Sequence, residues 1–87
     1  MSTLIAGTRV ETMLLSELKE GQTATVARVG GNGLLRRRIQ EMGVVKGTDL
    51  YVEKYAPLKD PMEIVLKGFH ISLRVEEAAD IVVENVR

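Results

Sequence analysis

A small, mainly β barrel of about five strands with one short inserted α-helix is the fold that this sequence predicts, and three observations carry the prediction. The chain has 87 residues and no cysteine, so a single domain must be held by its core alone, near the lower size limit for that. Residues 33–73 set a capped apolar helix and three strands in succession with almost no spare residues. Residues 62–73 read as a tight hairpin whose register is fixed by turn chemistry and burial together.

The elements follow in order. Leu14, Leu15 and Leu18, before Gly21, predict a short turn that lays leucines on the core at one barrel end. Residues 22–29 alternate Ala24 and Val26 with Thr23 and Thr25, the pattern of a strand with a buried face. Gly30, Gly31, Asn32 and Gly33 break that strand, and Asn32 is placed to cap the next helix by accepting from an amide near Leu34 or Leu35. The helix spans 34–42, with Leu35, Ile39 and Met42 in an apolar stripe beside Leu34, and with Arg36, Arg37, Gln40 and Glu41 turned away. Gly43 stops it in a left-handed cap, with Val44 packed back on the last turn.

After the turn at Lys46 and Gly47, residues 49–55 alternate, with Leu50 and Val52 on one face and Tyr51, Glu53 and Tyr55 on the other. Pro57 and Pro61 make residues 56–61 a stiff loop. A two-residue turn at Lys67-Gly68 then pairs Leu66 with Phe69, Ile64 with Ile71 and Met62 with Leu73, all facing one side. Residues 76–80 read as one helical turn, and Ile81, Val82, Val83 and Val86 as a last strand closing on the first. The expected core includes Leu35, Ile39, Met42, Leu50, Val52, Ile64, Leu66, Phe69 and Ile71. Residues 13–87 form the barrel; residues 1–12 stand apart as an N-terminal extension, either loosely ordered or an added edge strand or dimer contact.

Composition narrows function. Net charge is zero and hydrophobic content 45%, which speaks against a generally basic nucleic-acid binder or a polybasic membrane anchor. The charge is uneven: residues 36–59 carry six basic and three acidic side chains, and residues 60–87 three and six. The middle is basic and the end acidic. No apolar stretch is long enough to span a membrane and the start lacks the layout of a secretory signal, so the expected location is cytoplasmic.

The ordered motifs Leu14-Leu15-x-x-Leu18-Lys19-x-Gly21, Leu35-Arg36-Arg37-Arg38-Ile39-x-x-Met42-Gly43, Gly47-Thr48, Ala56-Pro57-Leu58-x-Asp60-Pro61 and Gly68-Phe69-x-Ile71-Ser72-Leu73-Arg74 resemble the FeoA family. The resemblance covers nearly all of residues 13–86 and implies an SH3-like barrel. It also implies a small cytosolic accessory of ferrous-iron uptake whose partner is a FeoB-type transporter with a membrane part and a cytosolic GTPase domain. The extension at residues 1–12 lies outside the family pattern. A related barrel closes iron-dependent repressors, but this chain has no room for their helix-turn-helix.

Candidate sites are few. Arg36, Arg37 and Arg38 can pair with carboxylates or phosphates, against the plainer reading of a solvated helix face with Arg37 tied to Glu41. Without interleaved aromatics they make no nucleic-acid platform and no nucleic-acid partner is expected, a nucleic-acid adaptor built on this basic helix standing as the third and least favoured reading. Tyr51 and Tyr55 lead from an outward face into Pro57 and Leu58, so the expected partner-binding residues are Arg36, Arg37, Tyr55, Pro57 and Leu58. His70, near Ser72 and Glu63, is too little for a resident metal centre, and no cofactor is expected to bind tightly. The acidic residues Asp60, Glu63, Glu76, Glu77 and Asp80 leave capacity for a weakly held divalent transition metal, the basis of an alternative reading as a metal-responsive regulatory module. A single histidine gives no nucleophilic site, so the protein is not read as an enzyme. Membrane contact would be indirect through the transporter, and a homo-oligomer fits the same reading.

Overall fold

The computed structural model describes residues 11–87. They form one antiparallel sheet of six strands in the order β1-β6-β2-β3-β4-β5. The strands are β1 (Thr12–Leu14), β2 (Thr23–Val29), β3 (Asp49–Tyr55), β4 (Met62–Leu66), β5 (Phe69–Leu73) and β6 (Ile81–Glu84). A 3₁₀ turn at Leu15–Glu17 follows β1, α1 (Gly33–Glu41) joins β2 to β3, and α2 (Val75–Ala78) precedes β6. The sheet has one strand more than the sequence pattern showed. The extra strand is β1, an edge strand whose Met13 pairs with Val83; residues 1–10 of the expected extension lie outside the described residues.

The sheet curls round one core, whose buried members include Leu15, Leu18, Ala24, Val26, Ile39, Leu50, Val52, Met62, Ile64, Leu73, Ile81 and Val83. The hairpin has the expected register: Leu66 opposite Phe69, Ile64 opposite Ile71 and Met62 opposite Leu73. Its turn works because Lys67 and Gly68 both take positive φ, 51° and 82°, as the hairpin twist requires. Phe69 nonetheless leaves the core and is 69% exposed. Leu66 is covered from the side by Gly43, where a Cβ would stand 3.3 Å from the Leu66 Cδ1. Phe69 lies on a strand at the edge of the sheet, where among the described residues one flank has no neighbouring strand to cover it.

The ends of α1 are built as the sequence indicates. Asn32 Oδ1 accepts from the Leu35 amide at 2.9 Å. At the other end the Val44 amide donates to the Ile39 carbonyl and the Gly43 amide to that of Gln40, with Gly43 at φ 102°; this pair of bonds satisfies carbonyls that the helix leaves open. Ile39 is fully buried, Leu35 and Met42 pack against the core in part, and Leu34 is 83% exposed in the first turn. The 3₁₀ turn and α2 start alike: Glu17 accepts from the Leu14 amide and Glu77 from the Arg74 amide. Each carboxylate three residues on satisfies the amide that opens its turn.

Candidate functional site

Strand β3 decides the shape of a groove at one end of the sheet. Tyr51 pairs with Val65 and Val52 with Ile64, but the register then slips, so that Lys54 pairs with Glu63 and Tyr55 with Met62. Glu53 is the extra residue of this β-bulge. The slip reverses the alternation, and Tyr55 turns toward the core side while Tyr51 stays outward and 41% exposed. The two tyrosines therefore do not share a face, contrary to the simple alternation.

Turned inward, the Tyr55 phenol needs a partner, and it finds two. Its hydroxyl donates to the Leu18 carbonyl at 2.5 Å and lies 3.3 Å from that of Ser16, while its amide donates to Glu20 Oε2 at 3.0 Å. Burial and then the Glu20 charge push the phenol pKa above its ordinary value, since both disfavour phenolate. These bonds tie the end of β3 to the turn after β1. Residues 56–61 close on themselves through Ala56 N–H to the Pro61 carbonyl and Lys59 N–H to the Ala56 carbonyl. Asp60 Oδ1 accepts from the Val75 amide at 3.1 Å and lies 4.0 Å from Arg74, which fastens the loop to the start of α2.

Between these segments lies a groove of about 630 Å³, with Leu18, Tyr55, Pro57 and Val75 among its walls and Lys19 and Lys59 among its charged lining. Leu58 stands 89% exposed in the same loop. The predicted residues Tyr55, Pro57 and Leu58 thus come together, Tyr55 as both wall and anchor. Ser16, Leu18, Lys19, Glu20, Ala56, Lys59 and Val75 were missed. A partner for an inward phenol was the available clue, but no glycine or proline marks the bulge that turns it.

Arg36 and Arg37 lie apart on the outer face of α1. Arg37 Nε is 4.0 Å from Glu41 on an exposed surface, Arg38 is ion-paired with Glu77 of α2, and no hydrogen bond or ion pair joins the Arg36 guanidinium to another described residue. His70 faces Glu53, not Glu63, with Nδ1 3.2 Å from Glu53 Oε1; the bulge re-aims that carboxylate, while Glu63 pairs with Ser72. Among the described residues no group of three or more His, Cys, Asp or Glu side chains could hold a metal ion. No helix among them is long and apolar enough to cross a membrane.

The FeoA domain family matches residues 13–85 of this chain. The chain belongs to the FeoA domain family. It is 47% identical over 72 residues to the Fe(2+) transport protein A/Fe(2+) transporter FeoB fusion protein of Porphyromonas gingivalis, a match covering 83% of this chain and 8% of that much longer protein. Among solved structures, FeoA of Chlorobium tepidum is 42% identical with a TM-score of 0.77, the match covering 82% of this chain and 68% of the other. FeoA of Stenotrophomonas maltophilia, solved with zinc and described as an SH3 domain protein, is 32% identical with a TM-score of 0.72, covering 82% and 88%. The mainly β architecture with its short helix is thus the SH3-like fold of FeoA, a family associated with ferrous-iron transport.

Proposed function

We propose that this FeoA-family protein is a non-catalytic cytoplasmic accessory of ferrous-iron uptake that binds the cytosolic part of a FeoB-type transporter and modulates its assembly or GTP-driven cycle. One observation carries the reading: a relative 47% identical to this chain is a transport protein A and a FeoB transporter fused in one polypeptide. Fusion places the two proteins in one polypeptide and makes their encounter intramolecular. The proposed contact is the loop with Tyr55, Pro57 and Leu58, with Arg36 and Arg37 of α1 as a second point of contact. A concave apolar site bordered by charge suits protein recognition. The membrane is reached only through the transporter. Titration calorimetry of the chain against the isolated cytosolic part and against the intact transporter tests this. Saturable binding to one or both is expected; binding to neither removes the reading.

A second reading has support from the zinc in the Stenotrophomonas maltophilia relative: a regulatory module that responds to a weakly held divalent transition metal. His70 beside Glu53 is the pair in this chain with the right donor chemistry. Calorimetry with ferrous, manganous and zinc ions separates the two, because binding tighter than micromolar by the chain alone favours sensing.

A further inference from the structure

The groove beside Tyr55 uses its polar groups in two ways. The Tyr55 hydroxyl and amide, the Lys59 amide and the Glu20 carboxylate all bond within the protein. The ammonium groups of Lys19 and Lys59 do not: among the described residues neither has an ion pair or side-chain hydrogen bond. The lining therefore combines apolar wall, satisfied backbone and two open cations, with Glu20 already engaged by the Tyr55 amide.

We propose that this groove docks an acidic segment of the partner protein, an apolar side chain lying against Tyr55 and Pro57 while its flanking carboxylates meet Lys19 and Lys59. The inference rests on the transporter reading and adds the place and the chemistry of contact. Charge complementarity selects this occupant. A second copy would bring its own exposed Leu58 and Lys59 to the groove, setting lysine against Lys19 and Lys59, and like charges at close range oppose docking. An anionic lipid surface asks for ~4–8 clustered basic residues, more than the groove's two lysines provide. An apolar anchor gives affinity, and the lysines set orientation and on-rate.

The test follows the amide spectrum of the isotope-labelled full chain during titration with three probes. These are a short synthetic peptide of leucine flanked by glutamates, its lysine-flanked counterpart, and the isolated cytosolic part of the transporter. Shifts at Lys19, Tyr55, Lys59 and Val75 with the glutamate peptide are expected, with the lysine peptide at least about tenfold weaker. The double variant Lys19→Glu/Lys59→Glu should bind both the glutamate peptide and the cytosolic part about tenfold more weakly. Both side chains are exposed, so the spectrum of the double variant away from the groove should match the wild type. Equal binding of the two peptides, shifts centred elsewhere, or shifts produced by raising protein concentration alone overturn the proposal. A cytosolic part that binds wild type and double variant equally overturns the groove and leaves the accessory function standing. One that does not bind, while the glutamate peptide does, removes the transporter reading and keeps the groove.

Discussion

The outer face of α1 and the groove beside Tyr55 carry the two proposed contacts, and they are held in opposite ways. On α1 stability and display are split between residues: Ile39 is fully buried, whereas among the described residues the Arg36 guanidinium has no partner and that of Arg37 reaches an exposed Glu41. At the groove one residue does both. The Tyr55 ring packs on the core and lines the groove, and its hydroxyl holds the Leu18 carbonyl. A surface of the first kind can change its side chains without disturbing the fold. A surface of the second kind is preorganised, which lowers the entropic cost of binding, but its anchor cannot change without loss of stability.

Substitutions separate these cases. The largest effect is expected at Ile39→Ala, where loss of a fully buried side chain should cost about 3 kcal/mol in urea unfolding. A loss below about 1 kcal/mol would show that α1 is not seated on the core as described. Next comes Gly43→Ala, since φ of 102° and a Leu66 methyl 3.3 Å from the new Cβ both resist a side chain; a loss of about 1–2 kcal/mol is expected in the same assay.

Tyr55→Phe keeps the ring and removes the hydroxyl from the Leu18 carbonyl, for about 1 kcal/mol. The phenol also predicts a pH dependence. Its pKa in the folded protein lies above the ordinary 10.0, so the unfolded chain releases the proton first. Stability is then fully present below pH 10 and declines as pH rises through the folded value. Denaturant midpoints across this alkaline range should fall more steeply for wild type than for Tyr55→Phe; parallel curves would remove the phenol from the account. Smallest is Arg36→Ala, expected within about 0.5 kcal/mol of wild type. A larger loss would mean that the outer face of α1 holds the fold after all.

Legibility in the sequence follows the same division. The hairpin register, both ends of α1 and the buried positions of β2 and β4 were readable because local rules and burial agree there. Gly43 ends a helix and shields Leu66, and Lys67-Gly68 closes a turn that alternation already fixed. Misreadings arose where geometry depends on partners distant in sequence. The bulge at Glu53 leaves no local signature, so period two carried Tyr55 to the wrong face. Phe69 alternates like a core residue, yet its flank on the edge of β5 has no neighbouring strand among the described residues. Pro57 and Leu58 were legible as exposed loop, but the groove needed Tyr55 and residues 16–20 brought together across more than thirty positions, |i−j| being 37 for the Tyr55–Leu18 bond.

The most direct test of the central claim, that the protein works by docking the loop beside Tyr55 on the cytosolic part of a FeoB-type transporter, is calorimetric affinity for wild type, Leu58→Ala and Arg36→Glu. Loss of an exposed apolar anchor should weaken binding about tenfold or more in Leu58→Ala, and Arg36→Glu should weaken it less. Affinity unchanged in both variants, with ferrous-iron uptake also unchanged, would contradict the account.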